Sequence, residues 1–162
     1  MPDSDYLDEY LKLKAANDQL RERGRQWLFD SFGNLCAEAN RKSGEQPGQQ
    51  VIQVGYQERQ FKAGSSTMVG EAMGVRYRMN TLLIEVGWPR LPEHGFITMQ
   101  GLARGRVSLS PNPTIDANLI SELILKRRGA DDVSWYVIAN EKPGEVLTEQ
   151  LLRGYLNLLL AD

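Results

Sequence analysis

Between Val75 and Ser110 the chain alternates apolar and polar residues over two stretches, and a hairpin register can be read from each. This alternation constrains the fold more than any other feature. A strand with one apolar face must have that face covered, and a slip of one residue turns every side chain to the wrong side. In Val75–Trp88, a two-residue turn at Asn80-Thr81 sets Met79 against Leu82, Tyr77 against Ile84 and Val75 against Val86, and Arg76 against Glu85 on the other face. In Phe96–Ser110, a three-residue loop at Leu102-Ala103-Arg104 sets Met99 against Val107 and Ile97 against Leu109, with Gly105 suited to the closing bulge. Thr98 with Ser108 and Gln100 with Arg106 then fall on the polar face. The connector Trp88-Pro89-Arg90-Leu91-Pro92-Glu93-His94-Gly95 joins the two hairpins and holds the chain's one histidine.

Helical patterns flank this block. With Ser4 or Asp5 as cap, a helix is predicted from about Tyr6 towards Asn40. Tyr6, Tyr10, Leu13, Asn17, Leu20, Gly24, Trp27 and Ser31 follow a four-three spacing that lines up one stripe, widened by Leu7, Leu11, Leu28, Phe32, Leu35 and Cys36. Gly24 and Gly33 each weaken a helix by about 1 kcal/mol relative to alanine, which predicts a kink or break. Arg41–Gln50 is polar and rich in Gly and Gln, and reads as a linker. Val51–Tyr56 opens the sheet region, Tyr56–Phe61 is read as a returning edge strand, and Gly64–Thr67 as a turn or loop. A second helix is predicted from about Ile115, capped by Thr114, burying Leu119, Ile120, Leu123 and Ile124 and stopping at Lys126-Arg127-Arg128-Gly129. Val133–Ala139 is a strand, Glu141–Gly144 a turn, and Thr148–Ala161 the last helix.

The predicted fold class is α+β: a long N-terminal helix, a mainly antiparallel sheet built on two consecutive hairpins, then helix, strand and helix. One domain spans residues 1–162, with a helical segment at 5–42, a linker at 43–50, and the sheet and C-terminal helices at 51–162. The expected core face carries Tyr77, Ile84, Met99 and Val107.

Composition excludes several classes of function. One cysteine allows no intrachain disulfide and no cysteine-based metal cluster, and one histidine leaves only carboxylates for most of a zinc site, so no metal and no cofactor is predicted. The net charge of −2 gives no general attraction to nucleic acid or anionic lipid. The acidic start lacks the pattern of a signal peptide, and no apolar run approaches the roughly 20 residues of a membrane span. A cytoplasmic protein of bacterial style, with no membrane contact, is the expectation. Gly64–Gly74 lacks the Gly-Lys-Ser/Thr ending of a phosphate-binding loop, and Glu85 is followed two residues on by Gly87 rather than the lysine of a metal-dependent nuclease.

The candidate binding residues are Arg78, Arg90, Glu93, His94, Arg104 and Arg106. Prolines stiffen the connector and present its side chains at low entropic cost. Arginine suits paired contacts with phosphate or carboxylate, and five arginines with two acids lie between Arg76 and Arg106. The last helix is apolar around much of its surface, so Leu152, Leu156 and Leu160 are candidate interface residues. No catalytic residue is assigned. The functional expectation is a non-enzymatic protein-interaction module (adaptor, chaperone-like protein or subunit of a larger assembly), forming a homo-oligomer or binding a protein partner. The alternatives are a small-ligand protein or enzyme using Trp88–Gly95, with His94 as base, and a nucleic-acid-associated protein using the local arginines. The arginine face lacks interleaved aromatics, which weighs against nucleic acid.

Overall fold

The computed structural model describes residues 2–44, 51–112, 114 and 116–161. The first helix, α1, runs unbroken over Pro2–Gly44, with Arg41 and Lys42 in its last turn where cations meet the negative end of the helix dipole. It starts before Ser4 and Asp5, so neither residue is its cap. The expected linker begins inside the helix, at Ser43 and Gly44, and its remainder, 45–50, lies outside the described residues.

Seven strands follow: β1 (Gln53–Ala63), β2 (Ser66–Tyr77), β3 (Asn80–Trp88), β4 (Ala103–Ser110), β5 (Asn118–Arg127), β6 (Val133–Ala139) and β7 (Lys142–Val146). They form one antiparallel sheet whose spatial order is the chain order, so each strand pairs with the next. The closing helix α2 (Glu149–Leu160) is capped by Thr148, whose side chain accepts the Leu151 N–H. The α+β architecture, the long first helix, the antiparallel hairpins and the last helix therefore match the sequence reading.

Both helices cover one face of the sheet. Leu28, Phe32, Leu35 and Cys36 from α1 and Leu152, Tyr155, Leu156 and Leu159 from α2 pack on Val75, Ile84, Val86, Val107, Leu125 and Trp135. Neither glycine breaks α1. At Gly24 the helix comes so close to the sheet that an added Cβ would meet Leu125 Cδ1 at 2.6 Å, and the Gly24 carbonyl accepts the buried Trp135 Nε1–H at 2.8 Å. Close packing on β5 and β6 accounts for this glycine.

Five local expectations are corrected. In the first hairpin the turn is Arg78-Met79, with Arg78 at φ +55°, and the pairs are Val75 with Leu82, Met73 with Ile84 and Arg76 with Thr81. The slip is by an even number of residues, so Val75, Tyr77, Leu82, Ile84 and Val86 keep their common face while every partner changes. Alternation cannot detect such a slip. The observed register is pinned by Gly70 facing Gly87, and by Asn80 Nδ2, which donates to the Leu159 and Ala161 carbonyls at the end of α2.

The second hairpin does not form. Met99 and Gln100 both take positive φ, at 61° and 58°, and Phe96–Leu102 belongs to the excursion between β3 and β4. β4 instead pairs directly with β3, Val107 facing Ile84 and Arg106 facing Glu85. Met99 is thus outside the core, while Ile97 packs on the small cluster of Phe61, Ala63 and Met68.

The helix expected from about Ile115 is strand β5, with Leu123 and Leu125 turned to the helices and Ile124 buried on the opposite face. Ile115 itself lies outside the described residues. Apolar residues on both faces mimic the helical spacing, and β4 needs a second partner for its backbone groups. Finally, β1 is one strand rather than a strand and its return, turning at Gly64-Ser65. The β6–β7 turn is Asn140-Glu141, both at positive φ, so Lys142–Gly144 are strand.

Candidate interaction groove

At a rise of 1.5 Å per residue, the 43 residues of α1 extend about 64 Å, whereas the longest strand, of 12 residues, reaches about 40 Å. The helix therefore outruns the sheet. Every residue from Ser4 to Ala16 is exposed, and burial begins at Leu20. Tyr6, Leu7, Tyr10, Leu11 and Leu13 lie on this overhang, each more than half exposed. Tyr6, Tyr10 and Leu13 continue the stripe that further along supplies Leu20 and Gly24 to the packed interface.

The connector after β3 faces the overhang. Trp88 is buried as the last residue of β3, and the Arg90 guanidinium stacks 4.0 Å from its ring while donating to the Val69 carbonyl at 3.2 Å. His94 Nδ1 accepts the backbone N–H of Arg90 at 3.2 Å and of Leu91 at 3.1 Å, closing the single 3-10 turn Pro92–His94. These bonds hold Leu91 half-exposed at the lip.

Between helix and connector lies an open groove of about 620 Å³, its walls formed by Tyr10, Leu13 and Asn17 on one side and Trp88, Pro89 and Leu91 on the other. Part of its charged rim is internally paired: Arg21 bonds Asp18 at 2.7 Å and donates to the Leu102 carbonyl at 2.7 Å, while Lys14 also lines the groove. The groove runs on, past Glu22 and Arg90, into a second hollow of about 510 Å³ beside Arg25, Arg59 and Glu71. Arg25 bridges Glu22 at 2.6 Å and Glu71 at 2.8 Å. Its partial burial lowers its pKa, but these two carboxylates outweigh that and hold it above the ordinary arginine range. The result is a trough of mixed character, apolar at Tyr10, Leu13, Trp88, Pro89 and Leu91 and charged along the rest, with Arg21, Arg25 and Arg90 engaged by neighbours and Lys14 and Glu58 also in its walls.

The opposite face of the sheet holds a different feature. Glu85, 1% exposed, receives Arg106 at 2.9 Å from β4 and Arg59 at 3.1 Å from β1. Arg59 reaches it diagonally across Gly70 and Ala72 of β2, whose small side chains leave room. Arg106 also lies over the Phe61 ring at 5.1 Å.

The six candidate binding residues do not converge. Arg78 sits in the β2–β3 turn over Tyr77, Arg106 is committed to Glu85, and Arg90 lies on Trp88. Arg104 is 8% exposed, with Glu122 at 3.7 Å. Burial pulls its pKa below the ordinary arginine range against the pull of Glu122, so it offers little surface to a ligand. Glu93 is exposed in the 3-10 turn, and the Nδ1 of His94 is occupied by the connector's own backbone. Arg76 pairs across the sheet with Thr81 rather than Glu85. The expected interface on α2 is also corrected. Leu152 and Leu156 are buried in the chain's own core and Leu160 packs partly against it.

Tyr6, Tyr10 and Leu13 were legible as a stripe but not as a site. The available signal was length: a 38-residue helix of about 57 Å exceeds the roughly 30–40 Å breadth of a domain this size, so part of it had to project. No protein family, no curated protein and no solved structure matches the chain. Among the described residues no helix is long and apolar enough to cross a membrane, and no group of three His, Cys, Asp or Glu side chains is placed to hold a metal.

Proposed function

We propose that this chain is a non-enzymatic protein-interaction module, an adaptor or chaperone-like subunit, that receives a protein partner in the groove between the α1 overhang and the Trp88–Gly95 connector. The observation that carries this reading is the exposed helical overhang from Ser4 to Ala16, whose apolar stripe leads into a preformed trough. An elongated trough with apolar walls at Tyr10, Leu13, Trp88 and Leu91 and charges along its edge suits the helix-in-groove mode of recognition, in which an apolar stripe supplies affinity and the rim supplies orientation. A small-molecule site would bring several unpaired polar groups to one point, whereas Arg21, Arg25 and Arg90 here are engaged by the chain's own groups.

The test is a photo-crosslinking side chain introduced at Leu13 in the full chain expressed in its native host. A discrete protein adduct at Leu13, with none at Lys42 near the far end of α1, is the expected result. Equal labelling at both positions, or none at Leu13, refutes the reading.

A further inference from the structure

We infer that the exposed edge of β1 is a dimer interface, pairing antiparallel with the β1 edge of a second copy about a two-fold axis at Gln60. The two edges of the sheet are built differently. The β7 edge is five residues long, carries Pro143 and shifts register against β6, devices that keep a sheet edge from taking on another strand. β1 has none of them. Its 11 residues pair with β2 without a shift, contain no proline, and are exposed from Gln53 to Gln60.

The backbone fixes which groups this edge offers. By the geometry of a two-residue hairpin turn, Ala63 and Ser66 form the closing hydrogen-bonded pair. The odd-numbered residues of β1 therefore turn their N–H and C=O groups to β2, and the even-numbered ones turn theirs outwards. Ile52 obeys that parity. Its N–H donates to Asn40 Oδ1 at 2.6 Å and its C=O accepts from Asn40 Nδ2 at 2.9 Å, so α1 covers the first outward pair with a side-chain amide. Among the described residues, no hydrogen bond within the chain reaches the outward groups of Glu58, Gln60 and Lys62.

Charge selects a second copy and its register. Glu58 and Lys62 share one face of β1 at equal distances from Gln60, and at a rise of about 3.4 Å per residue they lie about 13 Å apart, too far to meet within the chain. Lys62 donates to the Thr67 hydroxyl at 2.7 Å. Glu58 lines the hollow beside α1, where Arg25 holds Glu22 and Glu71, and it meets no cation among the described residues. A two-fold axis through Gln60, perpendicular to the sheet, sets Glu58 of each copy directly opposite Lys62 of the other on the same face, so two ion pairs form. On the other face Arg59 comes level with Phe61, and Gln57 with Ala63. An axis one residue nearer the N-terminus sets Arg59 against Arg59, and one residue further sets Glu58 against Glu58. An axis at Phe61 leaves Lys62 against Gln60. The Gln60 register alone satisfies both charges, and it adds about six backbone hydrogen bonds along residues 57–63.

Sedimentation velocity of the full chain across micromolar concentrations, with residue-resolved amide exchange, provides the test. A monomer–dimer equilibrium in the micromolar range is expected, since so short a seam lies at the small end of specific interfaces. On dimerisation, amide protection should rise at Glu58, Gln60 and Lys62 and stay unchanged at Arg59 and Phe61, whose N–H groups bond β2 in either state. Gln60→Pro removes an outward N–H, keeps the bonds to β2, and should weaken the dimer about tenfold or more. Glu58→Lys sets like charges against each other twice and should weaken it roughly tenfold, and adding Lys62→Glu should restore it. Both charged positions are exposed in the single chain, so unchanged circular dichroism establishes that these variants fold, whatever the proline does. A wild-type chain that stays monomeric, protection that rises without the alternation, or a charge swap without recovery each overturns the inference. The groove reading is decided separately by the Leu13 adduct, because no residue of β1 lines the groove at Leu13.

Discussion

Two glycines on the same face of β2 should respond in opposite ways to the same substitution. Gly70 faces Gly87 across β2 and β3, and a Cβ built on it lies 2.0 Å from the Val86 carbonyl oxygen and 2.8 Å from the Gly87 Cα. Both are backbone atoms, so no side-chain rotation relieves the contact, and the overlap is about 1 Å beyond what real Cβ atoms tolerate. Relief requires the two strands to part locally. That costs two or three ladder hydrogen bonds at about 1 kcal/mol each, plus packing around Val86, so Gly70→Ala should destabilise by about 2–4 kcal/mol. At Gly74 the nearest atom to a new Cβ is the Gly55 oxygen at 3.9 Å, an ordinary contact. Gly74→Ala should therefore be neutral, or stabilise by up to about 1 kcal/mol through the unfolded state. In urea unfolding, with a slope of about 2 kcal/mol/M, the Gly70→Ala midpoint should fall by about 1–2 M while that of Gly74→Ala holds or rises slightly. Two variants within about 0.5 kcal/mol of each other would refute the β2–β3 register, and with it the path by which Arg59 crosses Gly70 to reach Glu85.

Other consequences follow from buried groups. Burial pushes the Cys36 thiol up from 9.0 to about 11, so between these values the unfolded chain loses its thiol proton first. Stability from this group is full well below pH 9 and should fall by roughly 1 kcal/mol between pH 8 and pH 9.5, a slope that Cys36→Ala removes. Burial also raises the hydroxyls of Tyr56 and Tyr155 from 10.0, so their own pull on stability begins only as pH nears that value; a Cys36→Ala chain with the same slope below pH 9.5 would refute the assignment. Trp135→Phe deletes the bond to the Gly24 carbonyl and should lower stability by about 1–2 kcal/mol, with loss of hydrogen-exchange protection in both α1 and β6. Glu85→Gln keeps the shape but withdraws the charge between two half-exposed arginines, and should cost about 1–2 kcal/mol in thermal unfolding, while the exposed Glu58→Gln costs nothing measurable.

The strongest sequence signals were those that act locally and have one reading. Val133–Ala139 is a strand over those same residues, and Thr148 caps α2, because a β-branched and aromatic run and a capping hydroxyl have few alternatives. The face assignment of Val75, Tyr77, Leu82, Ile84 and Val86 was likewise readable, since side-chain parity survives any even slip. What parity cannot supply is the partner, and in this chain the partner is chosen by contacts far away in sequence. Asn80 is drawn out of the turn by the end of α2, and β4 is drawn to β3 by Glu85 and Arg106. Residues 118–127 failed for another reason: both faces of β5 are buried in part, which erases the alternation that marks a strand with one wet side. The candidate site divides in the same way. The connector was found because Pro, Trp and His stand out in any sequence, and it forms one wall of the groove. Its opposite wall was hidden because Tyr10 and Leu13 obey the same periodicity as the buried Leu20, and only the reach of the sheet decides which of them is covered.

A helix projecting from a folded body needs no new nucleus, since the packed turns beyond Leu20 already supply one and each added residue only propagates it. The projecting part has no glycine between Ser4 and Leu20, it carries Leu, Lys and Ala, and its acids Asp5, Asp8 and Glu9 lie towards the positive end of the dipole. Propagation, propensity and dipole therefore hold the overhang helical without help from its stripe. Two tyrosines and a leucine at four-three spacing add little to that helicity, and leaving them in water gains the single chain nothing. Their free-energy return comes only when something covers them. On the proposed interaction-module function, helicity and docking are thus carried by different residues of one segment. Polar substitutions at Tyr10 and Leu13 should abolish association in the groove while leaving the helical signal and the unfolding midpoint of the dilute chain where they were.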